Sequence, residues 1–217
     1  GIRLGDWETI LMAKKAENEY VGVNCGKLDQ SCEVLCRKGQ LLYLDCADDS
    51  YSLIPQAESM PPFKFIVFFS GLERSLANSA YNLRQDECKA AAYSLLAYAN
   101  LPYGKFKETV LRDVPGSVFE EYKDRLPEPF RRRATHFFTE YERSQQGVEA
   151  WKKGDLEAYG RLVFESGRSS IENYECGCPE LITLYEIMTQ TDGIYGGRFS
   201  GAGFKGCCMS IVDPSKT

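Results

Sequence analysis

Two short segments of the sequence carry residue types that could do chemistry. Residues 193–206, GIYGGRFSGAGFKG, hold six glycines, and Gly201, Gly203 and Gly206 satisfy the spacing G-x-G-x-x-G. Glycines let backbone N–H groups converge on an anion without a Cβ in the way, and Ser200 adds a hydroxyl donor beside them. The same composition also suits a tight connection between packed elements, and composition alone does not separate the two. A dinucleotide fingerprint needs a strand before the glycines and a helix after them. Here the pattern predicts a helix before and a strand after, which argues against a dinucleotide fold. The second segment is Cys25-Gly26-Lys27-Leu28-Asp29-Gln30 at a loop-to-helix junction. Asp29 could cap the helix, or it could act as base or charge partner to a hydroxyl with Gly26 letting the backbone approach.

The remaining reactive residues form no familiar site. Nine cysteines is an odd number, and without a secretory leader pattern in GIRLGDWETI it favours reduced thiols over a disulfide framework. Cys176 and Cys178 are spaced C-x-C and Cys207 adjoins Cys208; neither matches a zinc pattern. The single histidine, His136, falls on a helical stretch and reads as a packed or surface residue. Arg131, Arg132 and Arg133 form the one basic run and read as a solvated helix face. A net charge of −5 argues against nucleic-acid binding, which needs a surplus of Lys and Arg. The longest apolar run, FKFIVFFSGL, is too short for a membrane span and contains Lys64. A soluble, cytoplasmic protein is the expectation.

The elements that must position these residues are mixed. Hydrophobic residues make up 43% of the 217, enough for a packed core. Asp6 is placed to cap a helix to about Glu19, and a second helix runs to Cys36. QLLYLDC reads as a strand, 48–62 as a polar, Pro-bearing linker, and FKFIVFFS as a strand buried on both faces. From Leu83 to Ala99, Cys88, Ala91, Ala92, Leu95, Leu96 and Ala99 repeat at helical spacing. Helices follow over 129–152, 156–165 and 180–190, with Gly154-Asp155 as break and cap, and CCMSIVD closes as a strand. The class is α+β.

Four segments, in order, resemble the galactokinase branch of the GHMP kinases (galactokinase, homoserine, mevalonate and phosphomevalonate kinases). AENEYVGVNCGKLDQ resembles the stretch carrying that branch's catalytic aspartate. FSGLERSLANSAYNLRQDEC resembles its serine-containing turn followed by Tyr-x-x-Arg. SGRSSIENYECGCPELITLYEI resembles the helix pair before the last motif, and GGRFSGAGFKGCC resembles the third motif, usually G-x-G-F-G-G-C. FSGL, YNLR, SSIENYECG and RFSGAGF-basic-GCC are most similar to the plant-type galacturonokinase group of that branch.

The resemblance implies a two-domain fold with a truncated N-terminal domain over 1–59 and a ferredoxin-like α/β sandwich with added helices over 60–217. It implies transfer of the γ-phosphoryl group of ATP, with Mg2+, to the anomeric hydroxyl of a small sugar. Asp29 would be the catalytic aspartate, and Gly26 and Tyr81 sugar contacts. Ser200, Gly201, Ala202, Gly203 and Phe204 would line the phosphate and sugar region. Lys205 replaces the usual glycine, and a cation there would suit the carboxylate of galacturonate, or it could point to solvent. The family's first motif and its Gly-Leu-Ser-Ser-Ser type ATP loop do not occur in the 217 residues. The chain alone is therefore expected to be nearly inactive. A kinase for galactose or another sugar, and a non-catalytic sugar-binding or regulatory protein, are the alternatives.

Overall fold

The computed structural model describes residues 3–23, 25–72 and 80–216. Helix α1 spans Asp6–Lys15 and runs on into a π-helical turn, Ala16–Val21, which ends at Gly22 with φ 78°. Asp6 is not its cap. Gly5 takes that place, its N–H donating to Glu8 Oε2 at 2.8 Å, and Asp6 joins Glu8 in the first turn, where the helix dipole favours acidic groups. Helix α2, Leu28–Leu35, follows the GKLDQ loop.

Strands β1, Gln40–Leu44, and β2, Tyr51–Pro55, form an antiparallel hairpin with Leu42 opposite Leu53. The expected linker over 48–62 is thus one-third strand. Its Tyr51, Ser52, Leu53 and Ile54 pair with β1, Asp49 supplies the turn with φ 64°, and Ile54 is buried. Ile54 and Met60 share a cluster with Trp151, Leu156 and Ile211, so this segment is fastened to the rest of the chain. Burying a side chain such as Ile54 contributes about 2 kcal/mol.

Strand β3, Lys64–Phe69, is an edge of a three-stranded antiparallel sheet ordered β3-β5-β4, with β4 at Ile194–Phe199 and β5 at Cys207–Val212. The expectation of burial on both faces fails here: Phe65, Val67 and Phe69 are 54%, 63% and 61% exposed. An all-apolar run carries no alternation to tell an edge strand from a central one.

The helices α3, Tyr81–Tyr98, α4, Gly116–Tyr122, and α5, Phe130–Lys153, meet around Ala91, Ala92, Leu95, Leu96 and Phe119, with Leu111 and Ala134. Gly154, with φ 72°, ends α5, and Asp155 Oδ1 accepts from Ala158 N at 2.9 Å to start α6, Leu156–Glu172. Helix α6 is one continuous element past Glu165. It packs on β4 so closely that a Cβ on Gly196 would stand 2.3 Å from Gly160 O. Helix α7, Pro179–Gln190, buries Leu181, Tyr185 and Met188 against the same sheet. Among the described residues no helix is long and apolar enough to cross a membrane.

Candidate functional site

The GKLDQ loop is pinned from behind by the π-helical turn. Glu17 Oε1 accepts from Gln30 Nε2 at 2.7 Å, its Oε2 accepts from Cys25 Sγ at 3.2 Å, and its carbonyl accepts from Val23 N at 3.2 Å. Lys27, not Asp29, is the N-cap of α2; its ammonium has no acceptor to offer the helix N–H groups and is instead ion-paired with Asp49 and donates to Cys46 O. Asp29 lies exposed in the first turn of α2. The capping role open to it in the sequence is therefore not the one it plays.

Tyr81 opens α3 and comes to this loop. Burial raises its phenol above the ordinary range, while bonds from Gln85 and the Gly26 amide pull the other way, and Cys25 and Asp29 add negative field. Tyr81, far along the sequence from the GKLDQ loop, is thus a neighbour of Gly26, with Asp29 within electrostatic range. The serine-containing turn before Tyr81 falls on 73–79, outside the described residues.

One turn further along α3, Arg84 Nε donates to Tyr174 O at 2.8 Å and its Nη2 to Glu175 O at 3.2 Å. Arg133 grips the same segment: Nε to Glu87 Oε2 at 2.7 Å, Nη2 to Glu175 Oε2 at 2.6 Å, and Nη1 to Asn173 O at 2.6 Å. It is 1% exposed, which corrects the reading of all three arginines as a solvated face; only Arg131 is exposed. Arg133 and then Arg132 hold the Glu175 carboxyl below its ordinary value. Burial raises the Tyr174 phenol, with Cys88, Tyr81 and Cys176 adding to it. A cleft of about 710 Å³ opens beside Tyr174, walled by Gln85, Cys88, Arg133 and the hairpin end at Tyr43–Ala47. His136 is packed in its wall, 2.9 Å from Ser169 Oγ, and burial lowers its imidazole to about 4.

The 174–177 segment continues to the glycine loop. A Cβ on Gly203 would lie 2.7 Å from Phe199 and 3.1 Å from Cys176 Sγ, and one on Gly177 would lie 3.0 Å from the Phe199 ring. The loop itself is shorter than the sequence suggested. Gly196 and Gly197 lie in strand β4, and the turn covers only 200–206, where Gly201, Gly203 and Gly206 have φ of 69°, 74° and 100°. A strand therefore precedes G-x-G-x-x-G, contrary to the expected helix, but another strand follows, so the motif is a hairpin turn and not a dinucleotide fingerprint. Ser200 N donates to Cys207 O and Ser70 N to Gly206 O, both at 2.9 Å. Ala202 and Phe204 are half-buried, Phe204 against Phe199 and Tyr185, and Lys205 is exposed. Asp29, Tyr81, the 174–177 segment and the glycine turn form one connected series. Sequence reasoning missed Arg84 and Arg133 as the links; the YNLR motif was the available signal for the first.

This order of elements, with a strand-turn-strand glycine loop between β4 and β5, is the galactokinase-like fold seen over about half of a solved galactokinase. Residues 148–217 match the family described as GHMP kinases C terminal. The chain is 43% identical over 210 residues to the galacturonokinase of Arabidopsis thaliana, covering 96% of this chain and 49% of that protein. It is 34% identical over 204 residues to the human galactokinase, covering 94% and 49%. The solved Lactococcus lactis galactokinase in complex with galactose superposes with a TM-score of 0.84 at 28% identity, over 97% of this chain and 52% of that one. The chain spans about half the length of the relatives it matches.

Proposed function

We propose that these residues work in an ATP-dependent sugar-1-kinase that transfers the γ-phosphoryl group of ATP to the anomeric hydroxyl of D-galacturonate. The observation that carries this reading is the approach of Tyr81 to Gly26, with Asp29 within electrostatic range, linked through 174–177 to the glycine turn. Asp29, exposed at the start of α2, orients or deprotonates the sugar hydroxyl. Gly26 and Tyr81 contact the sugar. Ser200, Gly201, Ala202, Gly203 and Phe204 line the phosphate side, where glycines at positive φ leave room for backbone N–H groups to face an anion. That turn fits a phosphate of ATP. Among the described residues no group of three His, Cys, Asp or Glu is placed to hold a metal ion, so no ligand for Mg2+ is assigned within this chain.

Phosphoryl transfer rests on positioning and charge stabilisation. The 217 residues contain no Gly-Leu-Ser-Ser-Ser type loop to cradle ATP, and the chain by itself is expected to be nearly inactive. We read 1–59 as part of the catalytic N-terminal domain and 60–217 as the C-terminal domain. Galacturonate is favoured over galactose by Lys205, an exposed cation in the turn whose charge suits a uronic carboxylate, and by the 43% identity to a galacturonokinase. The test is coupled ADP release by the full-length gene product with MgATP and galacturonate, glucuronate, galactose, N-acetylgalactosamine or arabinose, beside Asp29→Ala. Turnover selective for galacturonate and reduced at least about 10²-fold in the variant is expected. Preference for galactose would discard the role of Lys205, and silence on every sugar would leave a non-catalytic binding protein.

A further inference from the structure

Cys32 and Cys36 lie four residues apart on α2, the helix that carries Asp29. Helix geometry sets their Cα atoms about 6.2 Å apart, inside the roughly 4.4–6.8 Å that a disulfide spans. The backbone is helical up to the pair, with Cys36 N donating to Cys32 O at 3.2 Å. It then turns outward, for Cys36 has ψ 147° and is exposed while Cys32 is half-buried. Spaced i, i+4, both side chains lie on one face of the helix. Cys46 is the other exposed cysteine, and it has no cysteine four residues away on a helix. Cys176 and Cys208 are buried, and Cys25 is bonded to Glu17 and Asn18.

We propose that Cys32 and Cys36 are a redox modification site, a dithiol that a hydroperoxide closes to a disulfide within α2, with an effect on Asp29 that rests on the kinase reading above. Cys36 reacts first. It is exposed, whereas Cys32 is half-buried. Its thiolate attacks one peroxide oxygen, the O–O bond breaks, and the departing hydroxide takes up a proton as water, leaving a sulfenic acid. The Cys32 sulfur then attacks the Cys36 sulfur, the S–O bond breaks, and the hydroxyl leaves as a second water with the Cys32 proton. Two thiols and one hydrogen peroxide become one disulfide and two waters. Burial, and next the neighbouring Cys36, push the Cys32 thiol up to about 11, which leaves it slow toward peroxide and fits it to the second, resolving step.

Closure reaches the candidate site through the helix. Cβ atoms at i and i+4 are about 5–6 Å apart, and a disulfide needs roughly 3.5–4.5 Å. The eight-residue α2 must contract, while Leu35 and Gln30 are buried and resist. Asp29 stands three residues before Cys32 and seven before Cys36, on the same face.

The test uses the folded 217-residue chain, checked by circular dichroism, with one equivalent of hydrogen peroxide, then N-ethylmaleimide and trypsin. Trypsin cuts after Lys27 and Arg37, so both thiols fall in one peptide, LDQSCEVLCR, with no other cysteine. The expected result is a peptide that has lost two hydrogens and takes no label, formed ahead of any other disulfide and reversed by dithiothreitol. Cys32→Ser should stop at a sulfenic acid on Cys36. A wild-type peptide that keeps both thiols while other cysteines oxidise, or that goes to sulfinic acid unclosed, overturns the site. In the full-length enzyme, closure should lower ADP release at least about ten-fold, since misplacements of about 1 Å cost up to 10², with recovery on reduction and no response in Cys36→Ser. Closure with unchanged turnover overturns the link to Asp29. An enzyme silent even when reduced refutes the kinase reading instead, and the peptide still decides the disulfide.

Discussion

Replacing Arg133 by Met removes the charge that holds the 173–175 segment. The guanidinium is 1% exposed, bonded to Glu87 at 2.7 Å, to Glu175 at 2.6 Å and to Asn173 O at 2.6 Å. Breaking a buried pair from one side costs about 3–5 kcal/mol because the other charge stays behind. Here the loss falls at the lower end. Glu87 keeps Arg84 at 3.1 Å, and Glu175 keeps Arg132 at 2.6 Å and is 37% exposed. The carbonyl of Asn173 loses its donor, adding about 1 kcal/mol. The sum is about 3–4 kcal/mol, which for a chain of this size is a fall in Tm of roughly 10 °C. Urea and thermal unfolding measure it, and Arg133→Lys, which keeps the charge but not the three-way fork, should recover less than half. Hydrogen exchange should rise first at 173–177, where Glu175 is held at φ 54°. A loss below about 1 kcal/mol for Arg133→Met would refute the account of this residue as a clamp.

Two further outcomes follow from geometry. Burial holds the His136 imidazole at about 4 against 6.5 in the unfolded chain. Between those values the unfolded chain takes up a proton that the folded one refuses. Stability should therefore be level above pH 6.5 and fall by up to about 3 kcal/mol as pH drops toward 4. His136→Gln should flatten that window, and an unchanged slope in urea titrations would contradict the assignment. Gly196→Ala places a Cβ 2.3 Å from Gly160 O and 2.6 Å from its Cα, all backbone, so α6 and β4 must part. A loss of about 3 kcal/mol is expected, with Gly160→Ala similar and the double variant costing less than the sum; strict additivity would argue against a shared contact.

The helices were legible where period and burial agree, as with Ala91, Ala92, Leu95 and Leu96 on α3. The strands were not. Tyr51 and Ser52 are exposed and Pro55 ends the strand, so β2 reads as a linker until its partner β1 is in view. Gly196 and Gly197 hide β4, because they are there to admit α6 and Met188, not to make a turn. Arg133 was read from its residue type, which says surface; only the fold brings Glu87 and Glu175 to it. The candidate site was legible through resemblance for Gly26, Asp29, Tyr81 and the glycine turn. The joining segment 174–177 depends on contacts across about ninety residues, from Arg84 to Tyr174 and Glu175, and no local pattern encodes those.

Strand β3 gives the sheet a sticky margin. One side of its backbone bonds to β5, and among the described residues no strand pairs with the other. Along that margin Phe65, Val67 and Phe69 present two rings and a branched side chain at alternating positions. An extended apolar segment laid alongside gains main-chain bonds and buried surface together, at little conformational expense. A second copy's β3 is itself such a segment, so edge-to-edge pairing at high concentration is an expected outcome that sedimentation would check. Lys64 already puts one charge at the start of this edge, and a second lysine in place of Val67 is expected to weaken such pairing further.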